Sequence, residues 1–347
     1  MTSSSPTSPT RSAPLAPPAP HAVSSSPRVA VLAGGLSHER DVSIRSGRRV
    51  AEALRSAGVE VSLHDVDADL VPALTELGPD LVWPVLHGAS GEDGSVRDVV
   101  QLLGLRLLGT GPRASRVAWS KPIAKTVVSR AGIVTPEFVT LPQSLFRELG
   151  ASRVLDAIVA RLGLPVAVKP SRGGSALGVS VVRTPDELPR AMVECFAYGD
   201  TALVERAVDG VEVAVSVVDL GDGPVALPPI EIVTDGPHDY DARYNPGRVE
   251  YFAPARLAPE TRTAVEDVAI TAHRALGLAR LSRADLIVDQ DGVVHFLEVN
   301  VTPGMTETSL LPQAAEAAGH NLGTLYRSLV EASLAAEPTG LEGVAAV

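Results

Sequence analysis

The sequence has a single cysteine, Cys195, among 347 residues, so no intrachain disulfide can form and zinc sites built on several cysteines are excluded. A reducing cytoplasm is the natural expectation. Positive charge is also short. The 30 Lys and Arg stand against 41 Asp and Glu, and a formal charge of -11 argues against a general affinity for nucleic acid or anionic membrane. It leaves room for a small anionic ligand held by a few local cations. No apolar run is long enough to span a bilayer, and the first residues lack the apolar core of a secretory signal, so the protein is expected to stay where it is made. Lysine is the scarcest charge: Lys121, Lys125 and Lys169 are the only lysines among the 30 basic residues. An ammonium is a compact, hydrated charge that suits a nucleotide phosphate, although arginine binds phosphate as well.

What is present fits a soluble chain of two or three compact units, with 45% hydrophobic residues and mixed charge. Residues 1 to 27 hold 15 Ser or Pro and little that can be buried, and read as a disordered tail. From "RVAVLAGG" the pattern becomes a buried strand, a glycine turn and a helix with Val50, Ala53, Leu54 and Ala57 on one face. "VEVSLHDV", "DLVWPVLHG" and "LRLLGTG" follow as strands, which makes a βαβ unit. Ligands on such sheets collect beyond the strand C-termini, where "GGLSHER" and "HGASGEDG" lie.

A second unit begins near Pro112. "SKPIAKTVVSRAG" reads as a helix opened by Ser120, with Pro122 in its first turn, and closed by Gly132. The strand "LPVAVKP" leads into the glycine-rich turn "SRGGSALG" and the strand "VSVV", and then "TALVERAV" and "VEVAVSVV" are strands joined across Asp209-Gly210. A long polar loop, "TDGPHDYDARYNPGRVE", has the length of a functional lid or a disordered segment. A helix bearing Val265, Val268, Ala269 and Ala272, a hairpin over 283 to 300 and two helices near 306 to 334 complete the chain.

The hairpin "RADLIVDQDGVVHFLEVN" turns at Asp291-Gly292, and a two-residue loop there pairs Gln290 with Val293. Asp285 then lies opposite Glu298, and Arg283 opposite Asn300. Alternation puts Ala284, Leu286, Val288, Val293, His295, Leu297 and Val299 on a core face. The other face carries Ile287, Val294 and Phe296 near the turn and the four polar residues at the open end. Two opposed carboxylates need a cation between them. Arg283 neutralising both as a surface salt bridge is one reading. A divalent ion is the other: the donors are all oxygen and too few for a closed cage, which suits Mg²⁺ completing its shell with water and nucleotide phosphates.

Taken in order, "GGLSHERDVS", "HGASGEDG", "LPVAVKPSRGGSALGVS", "YDARY", "RADL" and "EVNVTPGMTETSL" resemble the D-alanine:D-alanine ligases of peptidoglycan precursor synthesis, across residues 28 to 330. The resemblance implies a three-domain α/β ATP-grasp fold with an N-terminal Rossmann-like parallel-sheet domain. Its segments here are the tail 1-27, an N-terminal domain 28-113, a central ATP-grasp domain 114-205, a C-terminal domain 206-335 and a flexible tail 336-347. It implies ATP and Mg²⁺, with two ions expected and Mn²⁺ able to serve, and it allows a homodimer. Two D-alanines are joined in that family through an acyl phosphate. Carried over by position, Lys121 and Lys169 contact the nucleotide phosphates, and the turn around Gly173, Gly174, Ser175 and Gly178 covers them. Arg243 falls with the nucleotide contacts too. Glu205, Val208 and Glu212 fall where adenine and ribose are held. Asp285, Glu298 and Asn300 match the metal ligands, and Arg283 with the Gly304 backbone matches the groups that stabilise the tetrahedral intermediate. Glu39 receives the first ammonium, with Ser175 and Tyr244 in its network and His87 near that substrate, while Ser309 and Leu310 hold the second carboxylate.

Read without the family, Glu39 and Ser175 are also compatible with turn caps, His87 with a packed loop residue, Tyr244 with a loop anchor and Glu205 with an exposed strand position. Lys125, one turn beyond Lys121, reads as a solvated surface lysine. Ser120, Gly173, Ala176, Arg243 and Val301 depart from the family pattern, and none of them removes a principal catalytic group. Competing expectations are the same chemistry with D-lactate or D-serine as second substrate, a regulatory protein that binds ATP without turnover, and a nicotinamide dehydrogenase. The last is weak, because "GGLSHE" is not a dinucleotide fingerprint. The lid holds no histidine next to its tyrosine, only His238 nearby, which favours an amine nucleophile.

Overall fold

A computed structural model describes residues 26–234 and 249–337. Three sheets organise them. The first holds β1 (Arg28–Ala33), β2 (Glu60–Asp65) and β3 (Leu81–Pro84) in the parallel order β2-β1-β3. Strand β1 is buried on both faces, as a parallel strand between helices must be. Ala30 and Leu32 pack with Leu70, Leu74, Val82 and Val100 on one side, while Val29 and Val31 pack with Trp83, Leu325 and Tyr326 on the other. Helices α1 (Arg40–Ser56), α2 (Leu70–Leu77), α3 (Ala89–Glu92) and α4 (Ser95–Leu102) accompany this sheet. "LRLLGTG" does not form the expected strand. Leu107 makes a single parallel bridge to Val82, because only Val82 N–H to Arg106 O and Leu108 N–H to Val82 O connect the segments.

Helices α5 (Pro112–Trp119) and α6 (Lys121–Arg130) come next in the chain. The second sheet is antiparallel, with β4 (Phe138–Pro142), β5 (Val166–Pro170), β6 (Ser180–Val182) and β7 (Thr201–Arg206) in the order β4-β7-β5-β6. Helices α7 (Gln143–Leu149), α8 (Ala151–Leu162) and α9 (Leu188–Phe196) lie within this stretch. Val166, Val168, Ala202 and Val204 bury one face of the sheet against α8 and α9. The other face holds Lys169 and Glu205, since Ala167 stands opposite Glu205 and side chains alternate.

The third sheet is built on β8 (Gly210–Asp219), with β9 (Pro224–Ala226), β10 (Ile230–Thr234), β11 (Val249–Phe252), β12 (Leu281–Asp289) and β13 (Val294–Asn300) around it. Strands β7 and β8 follow each other across Asp209-Gly210 without pairing, and belong to different sheets. Val213, Val215 and Val217 join Ala118, Ala124, Val128 and Phe296 in one core with helix α10 (Pro259–Ala275). Helix α11 (Leu310–Ala317) packs against β8, and helix α12 (Leu322–Ala335) packs against α1 and β3 of the first sheet, where Tyr326 meets Trp83 edge-on at 5.4 Å between centroids.

The hairpin keeps the expected pairing at its open end and differs at its turn. Arg283 pairs with Asn300 and Asp285 with Glu298, but Leu286 pairs with Phe296 and Val288 with Val294. Asp289 N–H donates to Val293 O, so the loop has three residues, with Gly292 in the left-handed region at φ 79°. A bulge at Leu297 then restores the register. The faces near the turn are accordingly exchanged. Val294 and Phe296 are buried in the core, whereas Val293 is exposed and Leu297 lines a cleft.

Candidate active site

Two adjoining clefts lie between the sheets, of about 240 Å³ and 80 Å³. The larger is bordered by Lys121, Lys169, Gly173, Gly174, Glu205 and Val208 from the second sheet and its surroundings, and by Glu212, Asp285 and Glu298 from the third sheet. Lys121 is the first residue of α6. Its backbone N–H donates to Ser171 O at 3.0 Å, and its ammonium reaches Gly173 O and lies 3.0 Å from Glu298. The helix start is therefore fixed to the glycine-rich turn before any ligand is considered. Within that turn Ser175 and Ala176 both hold positive φ, 54° and 55°, which costs a non-glycine residue free energy and places the turn by constraint.

Glu205 is buried between two lysines. Lys169 pairs with Oε1, and Lys125 lies 2.7 Å from Oε2. Lys125 is not the surface residue expected; its side chain is wholly buried and also donates to Thr135 Oγ1 at 2.7 Å. Burial would raise the Glu205 carboxyl, but the two cations outweigh it and hold its pKa down. Burial would likewise lower Lys169, and Glu205 with Glu298 more than offsets this, so its ammonium is raised. For Lys125 burial wins and the pKa falls to about 8 despite Glu205.

At the open end of the hairpin Arg283 grips Asp285 with two bonds, Nε to Oδ1 at 2.7 Å and Nη2 to Oδ2 at 2.8 Å. Asn300 Oδ1 accepts from Thr302 N–H at 2.8 Å. No cluster of three or more His, Cys, Asp or Glu in metal-holding geometry occurs among the described residues. The donor set is two opposed carboxylates and one amide oxygen, each carboxylate accompanied by a cation, Arg283 or Lys121. Such oxygen donors fit a hard cation that keeps water or phosphate in its shell, and do not fit a zinc cage.

The smaller cleft is bordered by Glu39, His87, Ser175, Arg283, Asp285, Asn300, Gly304, Ser309 and Leu310. Ser175 Oγ donates to Glu39, a contact between residues 136 apart in the chain. His87 is buried, with Nδ1 3.0 Å from Thr302 O and Nε2 3.1 Å from Ser46 Oγ. A carbonyl can only accept, so Nδ1 carries the proton. Burial lowers the His87 pKa to about 4, with Arg283 adding to the effect, and the ring is neutral near pH 7. Ser309 precedes α11 and its hydroxyl accepts from Thr306 N–H at 3.0 Å. Tyr244, Arg243 and His238 lie outside the described residues.

Sequence reasoning missed Lys125, whose one signal was its place one helical turn after Lys121, and Glu92, which lies inside the quoted "HGASGEDG". Glu92 accepts from Gly88 N–H at 2.9 Å and is buried; burial first, then Glu39, raises its pKa to about 8. It missed Arg97 too, which donates to Thr302 Oγ1 at 2.7 Å and to Thr110 O at 3.0 Å and so ties the loop after β13 to the first sheet.

The fold and these clefts define an ATP-grasp enzyme. A family model described as D-ala D-ala ligase C-terminus matches residues 127–331. The D-alanine–D-alanine ligase of Desulforudis audaxviator is 41% identical over 305 residues, covering 87% of this chain and 97% of that protein. That of Gloeobacter violaceus is 40% identical, covering 88% and 99%. Among solved structures, the D-Ala:D-Ser ligase VanG of Enterococcus faecalis matches with TM-score 0.77 and 26% identity over 89% of this chain and 99% of that one. The D-alanine–D-alanine ligase of Bacillus anthracis complexed with ATP matches with TM-score 0.73 and 28% identity, over 89% and 97%. The chain belongs to the D-alanine–D-alanine ligase family. Membership makes it an ATP-dependent ligase that uses a divalent metal. Among the described residues no helix is long and apolar enough to cross a membrane.

Proposed function

We propose that the chain joins two D-alanines into D-alanyl-D-alanine for peptidoglycan precursors, in the cytoplasm, where ATP is available. The observation that carries this is the meeting of the two clefts at Asp285, which borders both. A phosphoryl group held in the larger cleft is then next to a carboxylate held in the smaller one.

A carboxylate is a poor acyl donor. Its oxygen takes the γ-phosphoryl group of ATP, ADP departs, and an acyl phosphate results. The free amine of the second D-alanine attacks the carbonyl carbon, phosphate leaves with the C–O bonding pair, and the nitrogen loses a proton. In this reading Lys121, Lys169 and the turn at Gly173, Gly174 and Ser175 hold the phosphates, a role the family pattern extends to Arg243. Glu205, Val208 and Glu212 hold adenine and ribose. Asp285, Glu298 and Asn300 would hold Mg²⁺, with two ions proposed and Mn²⁺ able to serve. When bound, the metal neutralises charge on the phosphoryl oxygens.

Glu39, oriented by Ser175, receives the ammonium of the first D-alanine, the family pattern assigns Tyr244 to the same step, and neutral His87 packs beside it. Ser309 and Leu310 hold the second carboxylate. Arg283 and Gly304 N–H face the oxyanion of the tetrahedral intermediate, and preorganised donors of that kind favour the transition state over the ground state. Phosphate release with ATP and D-alanine alone is the test. Silence with D-alanine that is relieved by adding D-lactate or D-serine would move the assignment to a ligase with a different second substrate. ATP binding with no turnover on any of them would make the chain a regulatory ATP-binding protein.

A further inference from the structure

Lys125 takes no part in the chemistry just described, yet it is among the most completely buried charged residues of the chain. The ammonium donates to Thr135 Oγ1 at 2.7 Å and Phe296 O at 3.1 Å, and it forms an ion pair with Glu205 Oε2 at 2.7 Å. Thr135 donates its own hydroxyl to Phe296 O at 2.9 Å, and Phe296 N–H donates to Val134 O at 2.9 Å. These bonds occupy the outer edge of β13, the last strand of its sheet, at the residue just before the bulge. The bulge matters because side chains alternate. Were β13 to continue from Phe296 in regular register with no bulge, Leu297 would stand opposite Asp285 and Glu298 would pair with Ala284 on the core face.

We propose that Lys125 is a positioning residue for both ends of the nucleotide site: it fixes the Glu205 carboxylate beside Lys169, and with Thr135 it pins the bulge that keeps Glu298 facing Asp285. This inference rests on the ATP-dependent reading above. A methionine of similar length would fill the same space at a lower desolvation cost, so packing alone does not account for a cation there. Lys125 stands on α6, one turn from Lys121, so the same helix presents one lysine to the cleft and uses the other as a strut between two sheets.

The test uses the full chain with Lys125→Met and Thr135→Val, and Thr135→Ser as the conservative control. ATP affinity is read by calorimetry without D-alanine, and phosphate release is followed against Mg²⁺ concentration. Lys125→Met should weaken ATP binding roughly tenfold or more, because Glu205 loses one of the two buried cations that hold it in place. Lys125→Met and Thr135→Val should both raise the half-activating Mg²⁺ concentration, with Thr135→Ser close to the parent. The KM for D-alanine should stay within about twofold, since none of its proposed contacts is altered. Unchanged ATP affinity and Mg²⁺ response in a folded Lys125→Met protein overturns the proposal, as does an equal loss of D-alanine affinity, which would mark a merely structural role. If Lys125→Met does not fold, the Thr135 pair decides, and a Thr135→Val response equal to the parent's overturns it. A parent protein that neither binds ATP nor releases phosphate would instead overturn the functional reading.

Discussion

Asp285 stands directly across from Glu298 on antiparallel strands, although the hairpin that joins them is one residue out of step at its turn. The pair survives because β13 takes up the slip at Leu297, with three strand residues left before the chain enters the loop over Gly304. If these carboxylates hold the metal, Glu298→Gln keeps the shape and removes a charge. Turnover should fall roughly 100-fold or more, with the melting temperature little changed. Normal phosphate release at ordinary Mg²⁺ would sink the metal assignment.

Glu205→Ala should cost stability in addition to any loss of ATP affinity. It leaves Lys125 and Lys169 buried with no carboxylate between them, and breaking a buried pair from one side costs about 3–5 kcal/mol. Urea unfolding of the two proteins measures this. A loss under about 1 kcal/mol, the scale of an exposed ion pair, would show that water or rearrangement reaches the lysines.

Glu92 sets a pH dependence of definite sign. Its pKa is raised by burial from 4.5 to about 8 in the folded protein, so the unfolded chain gives up this proton first as pH rises. The stability contributed by the protonated acid is full below 4.5 and is lost as pH climbs through 8. Glu92→Gln stays neutral and can still accept from Gly88. Its advantage over the parent should grow to the order of 3 kcal/mol between about pH 5 and pH 8.5. Parallel stability curves for the two proteins would exclude a buried acid there.

Gly88 probes the Glu39 position. It holds φ 75°, and a Cβ on it would fall 2.9 Å from Ser37 Cβ and 3.0 Å from Glu39 Oε2. Gly88→Ala should push the Glu39 carboxylate away and raise the KM for D-alanine about tenfold, while ATP affinity in the larger cleft is preserved. An unchanged D-alanine KM would separate Glu39 from substrate binding.

Much of this molecule is legible without coordinates because the relevant order is local. The 3.6-residue recurrence of Val265, Val268, Ala269 and Ala272 specifies a helix wherever it packs, and the run from Val29 to Ala33 specifies a doubly covered strand. A two-residue loop combined with strand alternation placed Arg283, Asp285, Glu298 and Asn300 together, and the pairing held because the bulge at Leu297 offset the extra loop residue. The turn escaped, since a two-residue and a three-residue Asp-Gly loop have the same composition, and only pairing along the whole hairpin decides between them. Lys125 escaped for a different reason. A lysine four residues after another on a helix reads as a solvated charge, and its burial is decided by Glu205, Thr135 and Phe296, up to 171 positions away. The sequence by itself determined the elements and the inventory of charged groups, because periodicity and composition are properties of neighbours in the chain. Tertiary structure alone decided which charges lose water, which strand bulges and which carboxylate meets which cation, because those depend on the distant segments that fold against them.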